Sequence, residues 1–112
     1  MDICFYDNVE LAANEMGIVS IDRVYCLNFN EFVEATWEQL QQVYWVLPQY
    51  LVKSHQCPMW FGEEGISSIY LYASVEPSGL QIVGKLQIEQ WALWEKALHS
   101  QLSRFAFPSF EC

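Results

Sequence analysis

Residues 59–86 read MWFGEEGISSIYLYASVEPSGLQIVGKL, and this stretch decides the fold. Met59-Trp60-Phe61 is a short apolar run, closed by the turn residues Gly62-Glu63-Glu64-Gly65. From Ile66 to Glu76 the side chains alternate. Ile69, Leu71, Ala73 and Val75 point one way; Tyr70, Tyr72, Ser74 and Glu76 point the other. Glu76-Pro77-Ser78-Gly79 is a turn signal, because proline presets one backbone angle and glycine permits a positive one. Leu80 to Leu86 then resumes a strand pattern with Leu80, Ile82 and Leu86 on one face. Three strands joined by tight turns predict an antiparallel meander.

The flanking sequence supplies what must cover that sheet. Residues 18–27 read as a further strand with Val19, Ile21, Tyr25 and Leu27 on one face, and Arg23 alone breaks the row. Residues 7–16 suit a short helix with Gly17 as its left-handed stop. A long helix is expected from Glu31 to Leu47, with Asn30 as N-cap and Glu31 and Glu34 complementing the helix dipole. Its buried stripe is Phe32, Val33, Thr36, Trp37, Leu40, Val43, Tyr44 and Leu47, and Pro48 sets its end, with one more turn expected over Gln49 to Lys53. A final helix over Ile88 to Phe105 carries the stripe Ile88, Trp91, Trp94, Leu98, Leu102 and Phe105, and the tail from Ala106 to Cys112 packs back on the body. The expected class is α+β. A three- to four-stranded antiparallel meander carries a long central helix, a C-terminal helix and a short N-terminal helix, packed mainly on one face. Residues 1–112 form a single acidic domain, with neither a repeat nor a linker.

Composition narrows the function. Hydrophobic residues make up 53% of the chain and charged residues only 17%, which describes a folded domain and not a disordered one. Five Lys and Arg stand against fourteen Asp and Glu, for a net charge of −9. Most of that excess lies in residues 1–50, where Arg23 is the sole Lys or Arg. Direct nucleic-acid binding needs cations that displace phosphate counterions, and anionic lipid would repel such a surface. A basic protein surface is the partner such a charge attracts and steers. No leader pattern or membrane-length apolar run occurs, and Cys4, Cys26, Cys57 and Cys112 show no C-x-x-C spacing. They are read as reduced thiols of a cytoplasmic protein.

The usual enzyme signatures are missing: no phosphate-binding glycine loop, no G-x-S-x-G elbow and no H-E-x-x-H. No cofactor or metal is called for. His55 and Cys57 form one suggestive pair, as a thiol beside an imidazole can be a nucleophile or a ligand pair. Glu63 and Glu64 are adjacent in a glycine-bounded turn, where carboxylates are ordinarily just solvated.

The long helix offers a better candidate. At about 100° per residue, Glu31, Glu34, Glu38, Gln41, Gln42 and Gln49 fall on one polar arc. Trp45 lies in the middle of that arc, so an indole is set among carboxylates and amides, the kind of residue that anchors interfaces. Tyr70 and Tyr72 are a second aromatic strip, on the outer face of the meander beside Val83 and Lys85. The sequence therefore points to a non-enzymatic adaptor or assembly chaperone that engages a basic or amphipathic segment of another protein through Glu34, Glu38, Trp45, Tyr70 and Tyr72. Homodimerisation through an aromatic patch is a further expectation. Two alternatives compete. One is an acidic inhibitor or immunity protein that blocks a nucleic-acid-binding enzyme by phosphate mimicry; the other is a small thiol enzyme or metal site at His55 and Cys57.

Overall fold

Across the Pro77-Ser78 turn, Glu76 faces Gly79, and the register then runs through Ala73 opposite Ile82 to Tyr70 opposite Lys85. The computed structural model describes residues 3–7, 11–51 and 57–111. Within them β1 (Phe5–Asp7), β2 (Ile18–Tyr25), β3 (Met59–Trp60), β4 (Tyr70–Glu76) and β5 (Gly79–Gln87) form one antiparallel sheet. The strand order is β1-β2-β5-β4-β3. Two helices accompany it, α1 (Glu34–Val46) and α2 (Ile88–Leu102). The class is α+β as expected, and the sheet has five strands rather than three to four because β1 pairs along the free edge of β2.

One face of this sheet is the core. Val19, Ile21 and Tyr25 of β2, Leu71 and Ala73 of β4, and Leu80, Ile82 and Leu86 of β5 are all buried there. They share one cluster with Leu40, Val43 and Tyr44 of α1 and with Trp91, Trp94, Leu98 and Leu102 of α2. Val75, at the hairpin end of the same row, stays half exposed. Side chains alternate across a strand, so this register sends Tyr70, Tyr72, Ser74, Val83 and Lys85 to the opposite face.

Two indoles in the core differ in one respect. Trp60 donates its Nε1–H to the Tyr44 carbonyl at 3.2 Å. Trp94, fully buried, has an Nε1 that meets no acceptor among the described residues. An unpaired buried donor costs about 1–3 kcal/mol, which offsets part of what the ring contributes. Trp94→Phe is therefore expected to destabilise the fold less than Trp60→Phe, by about 1 kcal/mol in urea unfolding. Equal losses would refute the distinction.

Several local expectations are corrected. No helix precedes Gly17 among the described residues. Phe5–Asp7 is instead a strand paired with Arg23–Tyr25, and residues 11–14 are irregular. Asn14 explains the turn that follows: its Oδ1 accepts from the backbone N–H of Met16 at 2.9 Å and of Ile18 at 3.0 Å. A side chain bonded this way diverts the backbone from helix. Gly17 does take a positive φ of 77°, in that turn.

The central helix begins later than expected, at Glu34. Phe29–Glu31 is a single 3-10 turn whose N-cap is Asn28, with Asn28 Oδ1 accepting from Asn30 N–H. Phe32 and Val33 are extended, and Val33 N–H donates to Thr36 Oγ1. A ring cluster accompanies this offset. Phe29 stacks on Trp37 at 5.2 Å, Phe32 meets Trp37 edge-on at 4.8 Å, and Phe32 stacks on Phe107 at 5.8 Å. The offset turns Val33 (63% exposed) and Trp37 (41%) out of the expected stripe, while Leu40, Val43, Tyr44 and Leu47 stay buried. Ile88 is likewise exposed rather than buried at the start of α2. Beyond Pro48, Gln49 has a φ of 65° and Tyr50 bridges Trp60, so no further helical turn forms over the described residues.

The cysteines give a further correction. Cys4 is disulfide-bonded, while Cys26 and Cys57 remain thiols. Spacing along the chain does not reveal such a bond, because pairing depends on Cα separation in the fold. No helix among the described residues is long and apolar enough to cross a membrane.

Candidate functional site

The outer face of α1 follows from its register. Leu40, Val43 and Tyr44 fix the inward side, so residues half a turn away face solvent. Glu34, Glu38, Gln42, Trp45 and Val46 are all exposed. Trp45 is 60% exposed, a large apolar surface left in water toward the C-terminal end of the face that carries Glu34 and Glu38. No Lys, Arg or His occurs in α1, so nothing on the helix itself neutralises Glu34 and Glu38. The helix also ends without a basic residue in its last turn.

Tyr70 and Tyr72 lie on the far side of the sheet from the helices. Tyr72 sits between Met59 of β3 and Val83 of β5, and Tyr70 lies beside Lys85. Both rings are half-buried among these neighbours. Burial, with Glu64 nearby, raises both phenol pKa values. The five residues singled out from sequence thus divide into two surfaces: Glu34, Glu38 and Trp45 on α1, and Tyr70 and Tyr72 behind the sheet.

A third group was seen in the sequence only as a break in a pattern. Arg23 occupies the helix-facing row of β2 and is 4% exposed. Its Nε bonds Asp7 Oδ1 at 2.5 Å, its Nη1 bonds Glu95 Oε2, and Nη1 also donates to the Tyr25 hydroxyl at 3.1 Å. The guanidinium lies 4.3 Å over the Phe5 ring and 5.0 Å over Trp91. Desolvation works against its charge, but the bonds to Asp7, Tyr25 and Glu95 outweigh it and hold the group protonated. Tyr25 in turn contacts His99 Nε2 at 2.8 Å. Strand β1, strand β2 and helix α2 are therefore joined by one polar chain. The signal for it in the sequence was Arg23 itself, the sole cation of the first fifty residues, set in an apolar row.

The thiol candidate fares differently. His55 lies outside the described residues. Cys57 has its pKa raised, first by burial and then by the Glu64 carboxylate. That is the opposite direction from an activated nucleophile. Alkylation of Cys57 by iodoacetamide is expected to run slower than that of a model thiol near pH 7.5, with the gap closing as the pH rises past the ordinary thiol range. Peptide mapping by mass spectrometry measures it, and a rate above the model thiol's would restore the nucleophile. No cluster of three or more metal-ligating side chains occurs among the described residues. Glu63 anchors a backbone turn through Ile66 and Ser67, and Glu64 is exposed.

No family model matches the chain, and neither a curated protein nor a solved structure matches it significantly.

Proposed function

We propose that the protein is a non-enzymatic adaptor or assembly chaperone that binds a basic or amphipathic segment of a partner protein on the outer face of α1. The observation that carries this reading is Trp45, an indole 60% exposed on a helix that holds Glu34 and Glu38 and no cation. Burying such a ring in a partner's pocket gains much apolar area at low entropy cost, which is why tryptophan recurs at hot spots. The two carboxylates, exposed on the same face, steer Lys or Arg of the incoming segment and fix its orientation. The domain's charge of −9 extends that steering over a longer range. Tyr70 and Tyr72, on the opposite side, provide a second surface for another subunit or a second copy.

The test is affinity capture from the native host at low and moderate salt, comparing the protein with Trp45→Ala and with Glu34→Gln/Glu38→Gln. A stoichiometric partner is expected to persist in moderate salt and to lose roughly 30-fold in affinity with Trp45→Ala. The double amide variant is expected mainly to slow association. Trp45 is largely exposed and outside the core cluster, so its removal is expected to change stability by less than about 0.5 kcal/mol. A basic nucleic-acid-binding partner that salt releases and Trp45→Ala leaves untouched would overturn the reading in favour of phosphate mimicry.

A further inference from the structure

Between β1 and the last turns of α2 lies a cavity of about 270 Å³ lined by Ile3, Phe5, Tyr25, His99, Leu102 and Ser103. Tyr25 and Leu102 are buried at its floor, while Phe5 and Ser103 are exposed at its mouth. Three of its walls are rings in mutual contact. Phe5 is 5.2 Å from both Tyr25 and His99, and Tyr25 is 5.4 Å from His99, centroid to centroid.

The hydrogen bonds around the cavity fix what it can recognise. A guanidinium only donates, so Arg23 Nη1 donates to the Tyr25 oxygen. Tyr25 and His99 Nε2 share a hydrogen bond of 2.8 Å, so the phenol oxygen is engaged by both Arg23 and His99. The Ser103 hydroxyl gives its proton to the His99 carbonyl at 2.9 Å. The Ser103 hydroxyl, exposed at the mouth, has spent its proton inside the protein and keeps lone pairs for a guest. A matching guest must donate.

Charge and size narrow it further. Behind Tyr25 the carboxylates of Asp7 and Glu95 outnumber the single Arg23, on a chain of net charge −9, so an anion is disfavoured. A second cation would meet the Arg23 guanidinium already stacked on Phe5. Ligand pockets start at about 300 Å³, so this one suits a single ring or two fused rings rather than a larger molecule. Flat rings pack against aromatic walls by offset or edge contacts, which the Phe5, Tyr25 and His99 rings offer.

We propose that this cavity is a binding site for a small neutral aromatic molecule carrying one O–H or N–H donor, of the phenol or indole type. It involves no residue of α1 and stands independently of the partner-binding reading.

Phenol is the probe, with toluene as the analogue lacking a donor and benzoate as the anion. The intact protein is titrated with each while the ring resonances of Phe5, Tyr25 and His99 are followed by NMR. Phenol is expected to shift these signals saturably, with a dissociation constant on the order of 1 mM. Toluene is expected to bind roughly five-fold more weakly, and benzoate weaker still. Ser103→Ala alters an exposed hydroxyl and leaves the core intact. It is expected to weaken phenol a few-fold and leave toluene unchanged. Leu102→Phe fills the floor and is expected to abolish both, with its fold checked by thermal unfolding. The proposal is overturned if phenol shifts none of the three rings, if benzoate binds as tightly as phenol, or if a folded Leu102→Phe protein binds phenol unchanged.

Discussion

Replacing Arg23 with alanine is expected to destabilise the protein by about 3 kcal/mol, read as a lower urea midpoint at unchanged slope. The residue contributes in three ways, and all are lost together. Its guanidinium bonds Asp7 and Glu95, donates to Tyr25, and stacks over Phe5 and Trp91. What remains is worse than a gap, because two carboxylates from different elements face each other with no cation between them. Their side chains are 33% and 30% exposed, so water relieves part of the repulsion and keeps the cost below that of a fully sealed site. Arg23→Lys is expected to recover only part of the loss. An ammonium keeps the charge but lacks the planar fork that reaches two carboxylates and a phenol at once. An alanine variant as stable as the parent would mean that the network is a passive ornament of the sheet.

Gly84→Ala is expected to cost about as much, about 3 kcal/mol, through sterics instead of charge. Gly84 lies in the core-facing row of β5, flanked by Ile21 on β2 and Leu71 on β4. A methyl group there would sit 2.1 Å from the Tyr70 carbonyl oxygen and 2.8 Å from the Leu71 Cα. Both obstacles are backbone of a paired strand, so the sheet itself must shift to admit the methyl. Gly65 provides the contrast. Its φ of 84° favours glycine, yet no atom of the described residues stands within 4 Å of a methyl built there. Gly65→Ala is expected to cost about 1 kcal/mol, a backbone penalty alone. Thermal unfolding of the two variants side by side separates crowding from conformational strain, and similar melting points would contradict this account.

The alternation from Tyr70 to Leu86 was legible because period-two patterning depends only on neighbouring residues, and so the outward placement of Tyr70 and Tyr72 followed. The exposed arc of α1 was legible for the same reason, at the helical period. What failed was whatever depended on distant partners. Residues near Gly17 have a composition that suits a helix, but Phe5 and Asp7 are claimed by pairing with Tyr25 and Arg23, far along the chain. Trp37 fits the buried stripe by spacing, yet its ring stacks on Phe29, which helical periodicity over a continuous 31–47 helix could not foresee. Arg23 stood out as an anomaly, but its partners are 16 and 72 residues away, and only the fold brings them together. Likewise the lining of the cavity joins Ile3 and Phe5 to His99, Leu102 and Ser103, which no local motif connects.

The end of β2 has a consequence for how the chain is made. Cys26 N–H bonds the Cys4 carbonyl, while the Cys26 carbonyl accepts from Phe110 N–H and Asn28 N–H bonds the Pro108 carbonyl. Leu27, fully buried, bridges Ser109. The segment before β1 and the segment after α2 therefore meet at Cys26, and the latter also holds Leu27 and Asn28. During synthesis β2 emerges long before residues 107–110, so Leu27 and the Phe32 ring that Phe107 covers must wait uncovered until the ribosome has delivered them. Closure of this edge is therefore expected late, as the chain's last segments emerge.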